Sequence, residues 1–114
     1  MQYPSDQVEE LKTAFPAVFS AEEGGICYFL IPKLPLPDGT SPAEVDVLLC
    51  PTADRHGYPS RLFFAQQIKS KNALNWNTNG VRILERTWYA YSWKVTKNGL
   101  RLIQILALHL RALQ

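Results

Sequence analysis

At 114 residues the chain is long enough for one domain and too short for two, and a content of 46% hydrophobic against 19% charged residues excludes disorder. A net charge of +2, with twelve Lys and Arg read as scattered, supplies no electrostatic case for nucleic acid. No apolar run is long enough to span a bilayer, and Met1 to Asp6 does not read as a signal peptide, so the expectation is a single soluble, cytoplasmic domain over 1–114 with no membrane or nucleic-acid partner.

The first element in chain order is an amphipathic helix. Val8, Leu11 and Phe15 share one face, Ser5 or Asp6 can cap it, acidic residues fill its first turn, and Pro16 ends it. Four strand candidates follow: a short one at Val18 to Ala21, then Ile26 to Ile31, Val45 to Cys50, and Arg61 to Ile68. Turn residues separate them, at Gly24-Gly25, at Pro35 to Pro42 and at Asp54 to Pro59. Connections this short, without helices, imply antiparallel pairing.

Residues 69–80 carry no apolar periodicity, and Asn75, Asn77 and Asn79-Gly80 favour turns, so this stretch reads as a long functional loop. An aromatic segment, Val81 to Trp93, comes next. The chain closes with a helix whose stripe is Leu102, Leu106, Leu110 and Leu113, with Thr96 or Asn98 as candidate caps. Helix, four-stranded meander, long loop and helix make an α+β order.

Few residues point to chemistry by their type. Cys27 and Cys50 lie in apolar stretches. They are too few for a disulfide framework and fit a reducing compartment. Cys50 is a weak candidate nucleophile against the alternative of a small buried apolar residue. His56, in a turn beside Asp54 and Arg55, is a candidate general base or simply an exposed side chain, and His109 beside the last helix stripe reads as structural. These cysteines and histidines show no metal-ligand spacing, so neither metal nor cofactor is expected. Trp88, Tyr91 and Trp93, with Trp76 in the polar loop, can serve as a binding surface or as core.

Several short motifs occur in an order that carries more than each alone: Leu34-Pro35-Leu36-Pro37-Asp38-Gly39, Val45-Asp46-Val47-Leu48-Leu49, Gly57-Tyr58-Pro59 and Arg86-Thr87-Trp88-Tyr89-Ala90-Tyr91-Ser92-Trp93. In this order and spacing the chain, from about Cys27 to its end, resembles prokaryotic family E of the ubiquitin-conjugating superfamily. The resemblance implies the ubiquitin-conjugating fold, here a four-stranded antiparallel meander flanked by an N-terminal and a C-terminal helix. It implies a place in a bacterial ubiquitin-like modification system.

Members of that superfamily carry the modifier as a thioester on a cysteine that follows a His-Pro-Asn tripeptide. In this chain Ala73-Leu74-Asn75 takes the tripeptide's place, Asn79-Gly80 matches a further Asn-Gly, and the cysteine position falls on Ile83. Isoleucine offers neither nucleophile nor proton. The expectation is therefore a pseudo-enzyme whose former active-site loop comprises Asn75, Asn79, Gly80 and Ile83. It would serve as a binding or scaffold module for a ubiquitin-like protein, an activating enzyme or a conjugating partner. Tyr58, Pro59, Arg86, Thr87, Trp88, Ser92 and Trp93 carry the family motif. The alternative is an active conjugating enzyme with a displaced nucleophile, either Cys50 or a hydroxyl such as Ser92 or Thr87.

Overall fold

The computed structural model describes residues 3–52, 58–97 and 99–114. The first helix, α1 (Ser5–Ala14), begins one residue earlier than the capping side chains suggest. Pro4 stands at the N-cap, and its carbonyl accepts from the N–H groups of Gln7 and Val8 at 3.1 and 3.2 Å. Ser5 is thus already helical. Leu11 is fully buried, with Val8 and Phe15 packed around the same core.

Among the described residues six strands follow, not four: β1 (Phe19–Glu23), β2 (Ile26–Pro35), β3 (Glu44–Cys50), β4 (Arg61–Phe64), β5 (Trp76–Ile83) and β6 (Arg86–Tyr91). All pairs are antiparallel, in the order β1-β2-β3-β4-β6-β5. The second helix, α2 (Leu102–Leu110), ends in a 3-10 turn at Arg111–Leu113. Its N-cap is Arg101, whose own N–H donates to Gln104 Oε1 at 2.8 Å. Thr96 is not the cap, and Asn98 lies outside the described residues.

A six-stranded sheet with two short helices is a different architecture from the ubiquitin-conjugating fold, and the expected four-stranded meander between flanking helices is corrected by it. Two physical features explain the miss. The segment expected to be a loop up to Gly80 becomes β5, an edge strand whose outer side chains are polar and exposed, so no apolar alternation marks it. Bulges between Trp76 and Thr78 and between Asn79 and Val81 break its period further. The turn joining β5 to β6 is Leu84-Glu85, both left-handed at φ 52° and 64°. Such two-residue turns are usually written Asn-Gly or Asp-Gly, and Leu-Glu carries no such signal.

Both helices pack on one face of the sheet. Leu11, Leu102, Leu106 and Leu113 bury against Phe29, Ile31, Val47, Leu49, Leu62 and Phe64. Between the helices, Arg101 pairs with Asp6 and Glu10, each at 2.9 Å, and Gln7 Oε1 accepts from Leu102 N at 3.1 Å. The opposite face carries a second core on which, among the described residues, no helix packs: Tyr28, Leu30, Leu48, Cys50, Phe63, Ile83, Trp88 and Ala90. Pairing register puts alternate residues on opposite faces, so Phe29, Leu49 and Leu62 line one side while Leu30, Leu48 and Phe63 line the other.

Leu48, Trp88 and Ala90 are fully buried on this side, and the sheet curls toward them. The curl is visible where its ends meet. Leu84 N, in the β5–β6 turn, donates to Glu23 Oε1 at the end of β1 at 3.0 Å.

Candidate functional site

The curl leaves an opening on the concave face. Its floor is Tyr28 of β2 and Phe63 of β4, both aromatic, with Ile83 of β5. Glu23 at the end of β1 and Gly24 in the turn after it form one wall, and Thr78, Val81 and Arg82 of β5 form the other. The cleft has a volume of about 280 Å³, at the lower limit of the roughly 300–1,000 Å³ of small-molecule sites. It suits a few side chains of a chain segment better than a large cofactor.

Arg61, at the start of β4, enters this cleft and is only 2% exposed. Its register partner is Cys50, which fixes it on the concave face. The guanidinium donates to Thr78 Oγ1 at 3.2 Å, Asn77 Oδ1 at 2.8 Å and the Tyr91 carbonyl at 3.3 Å. It lies 4.3 Å from the centre of the Tyr58 ring and 5.5 Å from that of Phe63. A planar fork held by hydrogen bonds and aromatic faces stays in one orientation. Sequence reasoning passed over this residue. The signal was there, since Arg61 is a charged residue opening the apolar run Leu62-Phe63-Phe64.

The residues of the expected pseudo-active-site loop lie along β5. Ile83 is buried in the cleft floor, Gly80 sits at a bulge with φ 98°, and Asn79 is exposed and bonded to Gln67. Asn75 precedes the strand, and its carbonyl accepts from Ser92 N at 2.8 Å. Asn75 is therefore a pairing residue at the strand's start, with its side chain exposed.

The motif residues divide. Trp88 is fully buried, and its indole N–H donates to the Ile83 carbonyl at 3.0 Å, holding the two strands of the hairpin. Arg86 reaches Asp46 at 3.1 Å and covers the Trp88 ring at 4.8 Å. Asp46 also accepts from Lys33 N–H at 2.8 Å, where β2 is irregular, and this bond is the main cause holding its carboxyl below the usual range. Thr87 Oγ1 accepts from Arg82 at 3.3 Å. Pro59 is exposed, while Trp93 is 40% exposed and lies away from the cleft. His56 lies outside the described residues.

Tyr58 and Ser92 are brought together across 34 residues. The Tyr58 hydroxyl donates to Ser92 Oγ at 3.0 Å and accepts from Asn77 Nδ2 at 2.6 Å. The Ser92 bond, joined by the Asn77 bond and by the nearby Arg61 and Lys94 charges, draws the Tyr58 phenol below its ordinary range. Cys50 is 1% exposed and donates its thiol to the Thr52 carbonyl at 3.4 Å. Burial, and secondarily Glu22, pushes the Cys27 thiol up.

His109 and Ser60 form a second pairing that the sequence hid, with Nε2 and Oγ 2.7 Å apart. A Ser–His contact invites a catalytic reading, but both residues are at most 3% exposed. The pair links α2 to the start of β4 beneath the surface. Burial, with the Arg61 charge secondary, lowers His109 to about 4, so the ring is neutral. Among the described residues no group of three His, Cys, Asp or Glu is placed to hold a metal ion, and no helix is long and apolar enough to cross a membrane.

No protein-family model, no curated protein and no solved structure matches this chain.

Proposed function

We propose that this chain is a non-catalytic binding module that holds a short extended segment of a protein partner in the concave cleft. The observation that carries the reading is the arrangement there: an aromatic floor, a buried guanidinium fixed by three hydrogen bonds, and β5, an outermost strand of the sheet, as one wall. Such a strand has backbone groups free to pair with an extended chain, and the floor supplies pockets for its alternate side chains. The partner class is a ubiquitin-like protein, its activating enzyme or a conjugating partner of a bacterial modification system. What supports that class is the order and spacing of the short motifs, together with Ile83 at the position where the resemblance expects a thiol.

The test uses Val81→Arg, a change at a side chain 37% exposed on the cleft wall. The purified protein is titrated with ubiquitin-like proteins and activating enzymes encoded near its gene, with calorimetry as the readout. Binding that weakens at least ten-fold in Val81→Arg, with circular dichroism unchanged, supports the module. Binding by none of them, or equal binding by the variant, overturns it.

A second reading has one observation in its favour. Ser92 is an exposed hydroxyl that lies 3.0 Å from the Tyr58 phenol, a group that would have to lose its own proton before it could take one from the serine, as carrying an acyl group on a serine requires. Incubation with activating enzyme, ATP and modifier would then give a hydroxylamine-sensitive adduct that is lost in Ser92→Ala. The binding-module reading expects no adduct.

A further inference from the structure

The charges, read as scattered along the sequence, are polarised. Residues 1–46 hold eight acids and two bases, and residues 86–114 hold five Lys and Arg with no acid at all. The fold gathers three of those cations, Lys94, Lys97 and Arg111, around one groove of about 410 Å³ between the segment 93–97 and the end of α2. Its apolar lining is Trp93, Val95 and Leu108.

We propose that this groove is a docking site for an extended acidic peptide segment of a protein partner. It is distinct from the concave cleft and independent of it.

Three observations carry the proposal. Lys94, Lys97 and Arg111 are all exposed, and among the described residues none has a carboxylate within ion-pair distance. By contrast Lys12 and Arg86 each have one and Arg101 has two. Among the described residues the positive charge of the groove is thus left for an outside anion, with Lys94 also 5.7 Å from the centre of the Tyr58 ring. Trp93 is 40% exposed, yet its indole N–H donates to the Leu108 carbonyl at 3.0 Å. The ring is held in place, so covering it costs little ordering, which favours it as an anchor contact. Lastly, residues 93–97 belong to neither helix nor strand, and among the described residues their backbone groups make no backbone hydrogen bond. The last such bond before them is Ser92 N to Asn75 O. Unpaired N–H and C=O groups along a chain segment are what an extended peptide pairs with.

A peptide fits this combination better than a nucleic acid. Nucleic-acid strands are held by a longer track of cations and by several stacking rings. Here a single indole stands beside three cations, and a backbone that makes no backbone hydrogen bond among the described residues offers the pairing that only another polypeptide returns.

The probe is a fluorescein-labelled peptide of alternating Glu and Leu, with the matching Gln and Leu peptide, and a short oligothymidine as comparison, all read by anisotropy. The acidic peptide is expected to bind, with at least ten-fold weaker affinity for the Lys97→Glu/Arg111→Glu protein and for Trp93→Ala, and with affinity falling as salt rises. Thermal melting checks that the variants stay folded. Equal binding of the Glu and Gln peptides, no effect of the charge reversal, or no binding at all overturns the proposal. Tighter binding of oligothymidine overturns it in favour of nucleic acid. A dimer in sedimentation that the charge reversal dissociates assigns the groove to a second copy of the chain instead.

Discussion

His109 couples residue chemistry to stability. Its folded pKa of about 4 lies below the ordinary 6.5 because burial penalises the charged ring. Between those two values the unfolded chain takes up a proton that the folded one refuses, so stability falls as pH drops from about 6.5 toward 4 and is unaffected by this group above that window. The shift corresponds to about 3 kcal/mol in full, since each pH unit of difference is worth about 1.4 kcal/mol. Urea titrations at pH 7, 5.5 and 4.5 should show the decline, and His109→Gln should flatten it. Ser60→Ala should lower stability by about 1–3 kcal/mol at neutral pH, because it leaves a buried ring nitrogen without its partner. The thiols give an independent check on the same interior. Cys27 and Cys50 are both buried, so neither should react with a thiol reagent until denaturant is added.

The β5–β6 hairpin is the element on which the concave side depends. Trp88→Ala empties a fully buried site and removes the bond to Ile83, and should cost about 3–5 kcal/mol by chemical denaturation. Its turn contains a correctable strain. Glu85 is exposed and sits at φ 64°, in a region that costs an L-residue roughly 1–2 kcal/mol and a glycine nothing. After the entropy that glycine adds to the unfolded chain, Glu85→Gly should stabilise by up to about 1 kcal/mol, read as a rise in Tm. A fall in Tm would show that Glu85 makes a contribution the geometry does not reveal. This element was also the least legible one. Leu84-Glu85 has no turn composition, and an edge strand with exposed Asn77 and Asn79 looks like a loop until β6 is laid beside it.

Over the whole molecule the sheet separates two cores, and its order sets a gradient of protection. β3 and β4 lie inside the sheet with partners on both sides, and both are lined by buried residues. β1 and β5 are the edges. Hydrogen exchange should therefore be slowest in β3 and β4 and fastest at the free edges of β1 and β5. Slow exchange along β5 would mean that its outer edge is covered in solution. The concave cleft and the basic groove are also properties of this scale, since each collects residues from separate elements that local sequence leaves far apart.

By itself the sequence determined the apolar runs that become β2 and β3, the helix faces carrying Leu11, Leu102 and Leu106, and the antiparallel pairing that short turns impose. Each is a local pattern, a periodicity or a turn residue, and local patterns survive without knowledge of neighbours. Only the tertiary structure decided that the described strands form one sheet of six, that both helices share one face, and that the sheet curls until Glu23 meets Leu84. The same is true of the pairs Ser60–His109 and Tyr58–Ser92 and of the place of Arg61. Those contacts join residues 16 to 61 positions apart. Which residues meet at such separations depends on strand register and sheet curvature, set by burial of the whole chain at once rather than by any one segment's composition.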